Sequence, residues 1–344
     1  LRSNNVDLMT GKIDLSELKY ISDSFVVPPE KMVIRGTVLM CMANGSKSHL
    51  GKVALVDEDY GYAFGGFMGL IVPSSDIVPS YLYWILSGYG FKRLIESLTD
   101  GANINNLKFA DIAGFEFPLP PLSVQREIVA LLERELGAVD KLTKKFEELE
   151  AAAEAEFKAE LKETFEEIKH RGTETRRLGD ACVIKTGKKD VRQGNPNGQY
   201  PFFTCAKIPT HSDTYSFDCP ALLVAGNGDV GYTQKYVGKF EAYQRTYVLS
   251  CFSQNVDIDY LHHLMVGCFQ SYAQQMIMGN TMPYIKMGVL ENFEIPLPPH
   301  SVQREVVVRL DAAKAKKEKL AAAARRGRET AALLRKAILK EAFE

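Results

Sequence analysis

Residues 226–231 read Gly226-Asn227-Gly228-Asp229-Val230-Gly231, a G-x-G-x-x-G spacing that could cradle a dinucleotide pyrophosphate at the end of a strand. That chemistry needs a helix directly after the glycines, so that its first N–H groups face the phosphates. Here Tyr232-Thr233-Gln234-Lys235-Tyr236-Val237 follows, aromatic and β-branched, which reads as a strand. A glycine-rich β-turn is the expectation. His262 and His263 could ligate a metal, but they stand among apolar residues at helical spacing and lack a second ligand pair, so packing is expected of them. Asp57-Glu58-Asp59 reads as a solvated turn. Asn195-Pro196-Asn197-Gly198 lacks the second proline of the Asn-Pro-Pro-aromatic motif of adenine methyltransferases, and no Walker A sequence occurs. The chain is expected to be non-catalytic by itself, with no metal and no cofactor of its own.

At 344 residues the chain has room for two domains or more. Hydrophobic residues make up 46% and charged residues 25%, the balance of an ordinary soluble protein. No apolar run approaches the roughly 18 to 20 residues that span a bilayer, and no signal peptide opens the sequence, so a cytoplasmic location is expected. Six scattered cysteines lack zinc-ligand spacing and suit reduced thiols. The net charge of −1 is uninformative as a total, so its distribution matters more. The sequence starts with Leu1, in the middle of a pattern, and an N-terminal piece is expected to be missing.

Residues 1–115 read as a strand-rich segment. Val38-Leu39-Met40-Cys41-Met42 closes on Asn44-Gly45 as a buried strand entering a turn, and Lys52 to Val56 is a second strand. Gly61 to Val72, rich in glycine and aromatics, suits bent strands. From Pro79 the period changes, and Tyr81, Leu82, Ile85, Leu86, Phe91, Leu94, Ile95 and Leu98 predict one or two short helices. A long helix is then predicted from about Ser123, its N-cap, to Lys169. Its stripe is Leu132, Leu136, Val139, Leu142, Phe146, Leu149, Ala153, Phe157, Leu161, Phe165 and Ile168. A second globular segment runs from Arg177 to Phe293, and Ser301 to Glu344 is a second long helix. Its stripe is Leu310, Ala313, Lys317, Leu320, Ala324, Gly327, Ala331, Leu334 and Ile338, with Lys317 the one blemish.

One stretch appears twice. Phe115-Glu116-Phe117-Pro118-Leu119-Pro120-Pro121-Leu122-Ser123-Val124-Gln125-Arg126-Glu127 recurs 178 residues later as Phe293 to Glu305, with 11 of 13 positions identical. The chain is therefore a tandem duplication, with one copy per half. Tyr260-Leu261 parallels Tyr81-Leu82, and Gly279 to Lys286 parallels Gly101 to Lys108. The two helices carry opposite charge. Residues 123–169 hold 13 acids against eight bases, whereas residues 301–344 hold six acids against 12 bases. Such stripes suit pairing with each other as an antiparallel coiled coil with pseudo-twofold symmetry. Helices of roughly 66 to 70 Å would act as a ruler between two globular domains. The expected boundaries are a first domain at 1–117, a central helix at 118–172, a second domain at 173–295 and a C-terminal helix at 296–344.

Two α/β (α+β) domains in tandem, each followed by Pro-Leu-Pro-Pro-x-Ser-Val-Gln-Arg-Glu and a long helix, resemble the specificity (S) subunits of type I restriction-modification systems. Further likeness lies in Asn44-Gly45-Ser46-Lys47, Tyr62-Ala63-Phe64-Gly65, Thr186-Gly187-Lys188-Lys189, Tyr200-Pro201-Phe202-Phe203-Thr204, Ala225-Gly226-Asn227-Gly228, Glu241-Ala242-Tyr243-Gln244-Arg245-Thr246 and Thr281-Met282-Pro283-Tyr284-Ile285-Lys286. The resemblance implies two target-recognition domains, each reading half of a bipartite, asymmetric site in double-stranded DNA. It also implies two methyltransferase subunits docked through the helices and repeated junctions, and motor-nuclease subunits in the full restriction complex. S-adenosylmethionine, ATP and Mg would belong to those partners, and no membrane is involved. The Leu-Gly-Asp opening expected of each domain is matched only by Leu178-Gly179-Asp180, which puts the first reader's completeness in doubt.

Under that resemblance, residues 176–250 carry the better DNA-contact candidates, with ten basic residues against six acids. Lys185, Lys188, Lys189 and Lys207 suit phosphates, Gln244 and Arg245 suit base edges and lead the candidates, and Asn227 is a further DNA-binding candidate. Arg245 could instead be an internal ion-pair partner. Asn44, Ser46 and Lys47 form the matching polar tip of the first half, with the same alternative. The rival function is a coiled-coil adaptor derived from this family that no longer binds DNA.

Overall fold

Val38-Leu39-Met40-Cys41 is apolar without alternation, as a strand covered on both faces must be, and it forms β1 (Val38–Cys41) with all four residues buried. The structure is a computed structural model that describes residues 1–7, 10–22, 24–99, 106–279 and 281–343. They fall into two units, Leu1–Phe146 with Arg325–Glu344, and Glu147–Ala324.

In the first unit, β2 (Val53–Leu55) and β3 (Met68–Ile71) flank β1 in an antiparallel sheet of order β2-β1-β3. Val38 and Met40 pack toward the helices, while Leu39 and Cys41 pack on the opposite face with Val6, Val33, Ala54 and Phe64. Of the predicted stretch from Gly61 to Val72, only β3 is a strand. Gly61 takes a left-handed φ of 68° and the Gly65 N–H is spent on the Leu1 carbonyl, so this backbone is satisfied by loop contacts. The helices α1 (Pro79–Ser87), α2 (Tyr89–Thr99) and the short α3 (Phe109–Ile112) follow, α1 opening on proline. Then α4 (Leu122–His170) runs unbroken. It starts one residue before the predicted cap. The Pro121 carbonyl accepts the Gln125 N–H, which puts Ser123 inside the first turn.

The second unit opens with β4 (Thr175–Arg177), α5 (Leu178–Ala181) and β5 (Val183–Thr186). It continues with β6 (Tyr200–Phe203), β7 (Thr210–Ser212), β8 (Phe217–Ala225), β9 (Thr233–Ala242) and β10 (Thr246–Ser250). These strands build a six-stranded sheet of order β5-β10-β8-β9-β6-β7, in which only the β6–β9 pair is parallel. Leu222 and Val224 face the helical core, and Ala221 and Leu223 face an aromatic cluster of Phe203 and Phe240. The turn after Gly226 leads into β9, the strand expected there. Next come α6 (Ile258–Leu264), capped by the Asp257 carboxylate, a π-helical turn at Met265–Phe269, α7 (Gln270–Gln275) and α8 (Met287–Glu291). The unit closes with β11 (Glu294–Pro296) paired to β4, and α9 (His300–Glu341) starts from there. The parallel drawn for Gly101 to Asn105, and for Asn280, lies outside the described residues.

The two long helices pair antiparallel within each unit. In the second, Arg309 reaches Glu160 at 2.5 Å and Glu167 at 3.1 Å, Lys316 meets Glu156 at 2.6 Å and Lys317 meets Glu154 at 3.3 Å. In the first, Arg335 meets Asp140 at 2.6 Å. Lys317, the blemish in the stripe, places its ammonium 4.8 Å from the Phe157 ring centre, so a cation–π contact fills that layer. Gly327 is required, because a Cβ there would overlap the Phe146 ring. Three stripe residues depart from expectation: Leu142, Leu149 and Leu334 are exposed. Beyond Ala331 the covered side moves to Arg335, Ile338 and Leu339, the drift that a 3.6-residue helix makes against a 3.5-residue stripe.

The repeated junction is a buried clamp. Gln125 accepts the Val78 N–H at 2.8 Å and donates to the carbonyls of Asp76 at 2.9 Å and Pro120 at 2.8 Å. Gln303 does the same with the Asp257 N–H and the carbonyls of Asn255 and Pro298, each at 2.8 Å. Both side chains are fully buried. Tyr81 and Tyr260 complete the match by donating to the carbonyls of Pro118 and Pro296.

Candidate nucleic-acid interface

The turn between β9 and β10 carries Gln244 and Arg245, both with exposed side chains on a clamped backbone. The Gln244 N–H donates to the Lys189 carbonyl at 3.0 Å. The Arg245 carbonyl accepts the Gly226 N–H at 2.9 Å and the Cys205 thiol at 3.3 Å. Gly226 in turn accepts the Ile285 N–H at 2.9 Å, and the Tyr247 hydroxyl, beside it, donates to the Ile285 carbonyl at 2.8 Å. A Cβ on Gly226 would overlap the Arg245 carbonyl and lie 2.7 Å from the Tyr247 ring, so only glycine lets these strands close up.

These contacts frame a cleft of about 410 Å³ lined by Gly226, Gln244, Arg245, Tyr247, Tyr284 and Lys286, among others. The guanidinium of Arg245 stands 5.8 Å from the Tyr284 ring centre. Among the described residues Arg245 pairs with no carboxylate, so the internal ion-pair alternative is not what the geometry gives. The cleft presents amide and guanidinium hydrogen-bonding groups from a fixed backbone, with a lysine beside them. That donor set suits the edges of bases and the phosphates next to them. Tyr284 and Lys286 were not singled out as contacts. The only signal in the sequence was their place in the Thr281 to Lys286 stretch.

The other candidates divide by what already holds them. Lys185 and Lys188 are exposed. The Lys189 ammonium is bonded to Ser212 at 2.9 Å, Thr214 at 2.5 Å and the buried Glu241 at 3.3 Å. Lys207 lies 3.8 Å from Asp229 and 5.8 Å from the Tyr232 ring centre. The Asn227 amide contacts the Met282 sulfur. In the first unit, Asn44 donates to the Ser3 hydroxyl at 2.9 Å and accepts the Ser46 N–H, Ser46 bonds Ser48, and the Lys47 ammonium donates to the Thr99 carbonyl at 2.8 Å. Lys189 and Lys47 thus tie the fold together.

His263 is buried and sits 2.8 Å from the Asp311 carboxylate. Burial first, then the neighbouring His263 and the ammonium groups of Lys314 and Lys235, push His262 down to about 4. No group of three or more His, Cys, Asp or Glu able to hold a metal occurs among the described residues. No helix among them is long and apolar enough to cross a membrane.

A family model described as "Type I restriction modification DNA specificity domain" matches residues 11–151 and 170–323. The chain is similar to the EcoDI specificity subunit of Escherichia coli, 37% identical over 134 residues, covering 39% of this chain and 29% of that protein. It is also similar to the EcoKI specificity subunit of E. coli K12, 31% identical over 149 residues, 43% of this chain and 32% of the relative. These matches span about a third or less of either relative. A chain solved in work on complex assembly and conformational transition of the type I R-M system shares the fold, with a TM-score of 0.81 at 22% identity, covering 99% of this chain and 90% of that one. The HsdS subunit from Thermoanaerobacter tengcongensis does so with a TM-score of 0.57, also at 22% identity, covering 99% and 89%.

Proposed function

Because this chain belongs to the family of type I restriction-modification DNA specificity domains, we propose that it is the sequence-recognition subunit of such a complex. In this reading the segments 1–117 and 173–295 each read one half of a split, asymmetric duplex site. The paired helices and repeated junctions carry two modification subunits, and motor-nuclease subunits join them for restriction. S-adenosylmethionine supplies the methyl group, and ATP with Mg drives the motor, all on partner subunits. This chain contributes binding, orientation and choice of sequence.

The observation that carries the reading is the cleft at Gln244, Arg245 and Lys286, with its reading groups exposed and its backbone held at Gly226. A rigid frame with outward donors is what discrimination between base pairs requires. The adaptor reading draws on the net charge of −1 and on the internal ties of Lys47 and Lys189.

Methylome sequencing of cells that express the chain with its modification subunits decides between them. The recognition reading expects one adenine-methylated, two-part motif. No methylated motif of any sequence would leave the adaptor. Gln244→Ala is expected to relax one base position by about 10-fold or more. Equal losses on matched and unmatched DNA would remove Gln244 from base reading.

A further inference from the structure

The reading turn of the second unit has a counterpart in the first, visible in the backbone and absent from the sequence pattern. The Gly226 N–H donates to the Arg245 carbonyl and the Gly226 carbonyl accepts from Ile285, each at 2.9 Å. Met42 stands in the same relation in the first unit: its N–H donates to the Phe67 carbonyl at 2.9 Å, and its carbonyl accepts the Leu107 N–H at 2.6 Å. The next residues form matching isolated antiparallel bridges, Ala43 with Asn106 and Asn227 with Tyr284. The turns themselves agree again: the Met68 N–H donates to the Gly65 carbonyl at 3.0 Å, as Thr246 does to Tyr243 at 2.8 Å. Four backbone relations therefore place Phe67 where the other unit has Arg245.

From this equivalence we propose that Phe67 and Arg245 are the paired specificity-determining positions of the two half-sites, an assignment that rests on the recognition reading above. Arg245 reads a guanine and Phe67 reads the 5-methyl group of a thymine. The chemistry follows from the side chains. A guanidinium fork donates two parallel hydrogen bonds to guanine O6 and N7, and a phenyl ring makes the apolar contact that the thymine methyl offers in the major groove. Arg245 is pre-oriented for this by its place over Tyr284, which we assign as a positioning residue. Phe67 is 71% exposed on a turn whose carbonyl is fixed, a costly placement for an aromatic unless something covers it. Single exposed hydrophobics are common. What distinguishes Phe67 is its sharing the backbone position of a reader.

The test is selection from a random-sequence duplex library by the chain assembled with its modification subunits, followed by sequencing. The wild type is expected to enrich a split motif with a guanine in one half and a thymine in the other. Arg245→Ala should lose about 10- to 100-fold of the guanine preference and leave the thymine half intact. Phe67→Ala should relax only the other half. Tyr284→Ala should relax the same position as Arg245→Ala, whereas Tyr284→Phe should preserve the motif. Replacing the selected thymine by uracil, which removes only the methyl group, should weaken wild-type binding about fourfold and leave Phe67→Ala unaffected. A wild-type motif that survives Arg245→Ala and Phe67→Ala unchanged, or an unchanged affinity for the uracil duplex, overturns the assignment while recognition stands. A wild type that enriches no motif brings down the recognition reading itself, and this assignment with it.

Discussion

Adjacent lysines at 188 and 189 differ in what their ammonium groups already hold. Lys188 is exposed, whereas Lys189 is bonded to two hydroxyls and to the fully buried carboxylate of Glu241. Among the described residues, removing Lys189 leaves that buried carboxylate with only the Ser216 hydroxyl and the Ala242 N–H as donors and no counter-charge, so Lys189→Ala is expected to destabilise the protein by about 2 kcal/mol in urea unfolding. Lys188→Ala should leave unfolding unchanged and weaken binding to all duplexes alike. The sequence could not separate the two, because residue type marks both as phosphate contacts while the partners of Lys189 lie 23 to 52 positions away. Gln244 and Arg245 were singled out by residue type between Tyr243 and Tyr247, and both lie exposed on the turn between β9 and β10. Phe67 was not, because an aromatic among glycines reads as core, and only the hydrogen bonds at Met42 reveal its position.

At the scale of elements, the duplication was legible because the same clamp has to be built twice. Gln125 and Gln303 are invariant between the copies for a physical reason: each satisfies one N–H and two carbonyls inside the protein. Gln303→Ala should cost about 2–4 kcal/mol by unsatisfying three buried groups, a loss measurable by chemical denaturation, and Gln125→Ala should behave alike. Both long helices were legible from period and charge. The exact edge of contact was not, since Leu334 gives way to Arg335 only through the accumulated drift of the helix. Helix α6 adds a pH term. His262 has a folded value of about 4 against about 6.5 when unfolded, so between those values the unfolded chain binds a proton that the folded one refuses. The His262 contribution to stability is therefore constant above about pH 6.5 and is lost as pH drops toward 4. His262→Gln should flatten that limb in thermal melts taken between pH 7 and pH 4.

For the whole molecule, the net charge of −1 is the sum of unlike parts: an acidic central helix, a basic C-terminal helix, a mildly acidic first segment at residues 1–117 and a second globular segment whose basic excess is confined to residues 176–250. Much of the helix charge is already spent, since Arg309, Lys316, Lys317 and Arg335 face carboxylates of α4. Of the lysines proposed for phosphate or lining the cleft, Lys185, Lys188 and Lys286 are exposed in the second unit. A small number of phosphate contacts has a measurable consequence, because each neutralised phosphate releases counterion and steepens the salt dependence by about 0.9 in log–log slope. Three or four contacts predict a roughly 40- to 150-fold loss of duplex affinity between 50 and 200 mM salt. That is shallower than for a protein held mainly by phosphates, and on the proposed reading the remaining affinity comes from base contacts at the turns of Phe67 and Arg245. Titrations of matched and scrambled duplexes across that salt range should therefore give near-parallel slopes with a constant vertical offset. A slope twice as steep would mean that further cations reach the phosphates. A slope restored by Arg177→Ala and Arg192→Ala would assign it to those exposed arginines, whereas one unmoved by them would point to the helix cations now paired with α4.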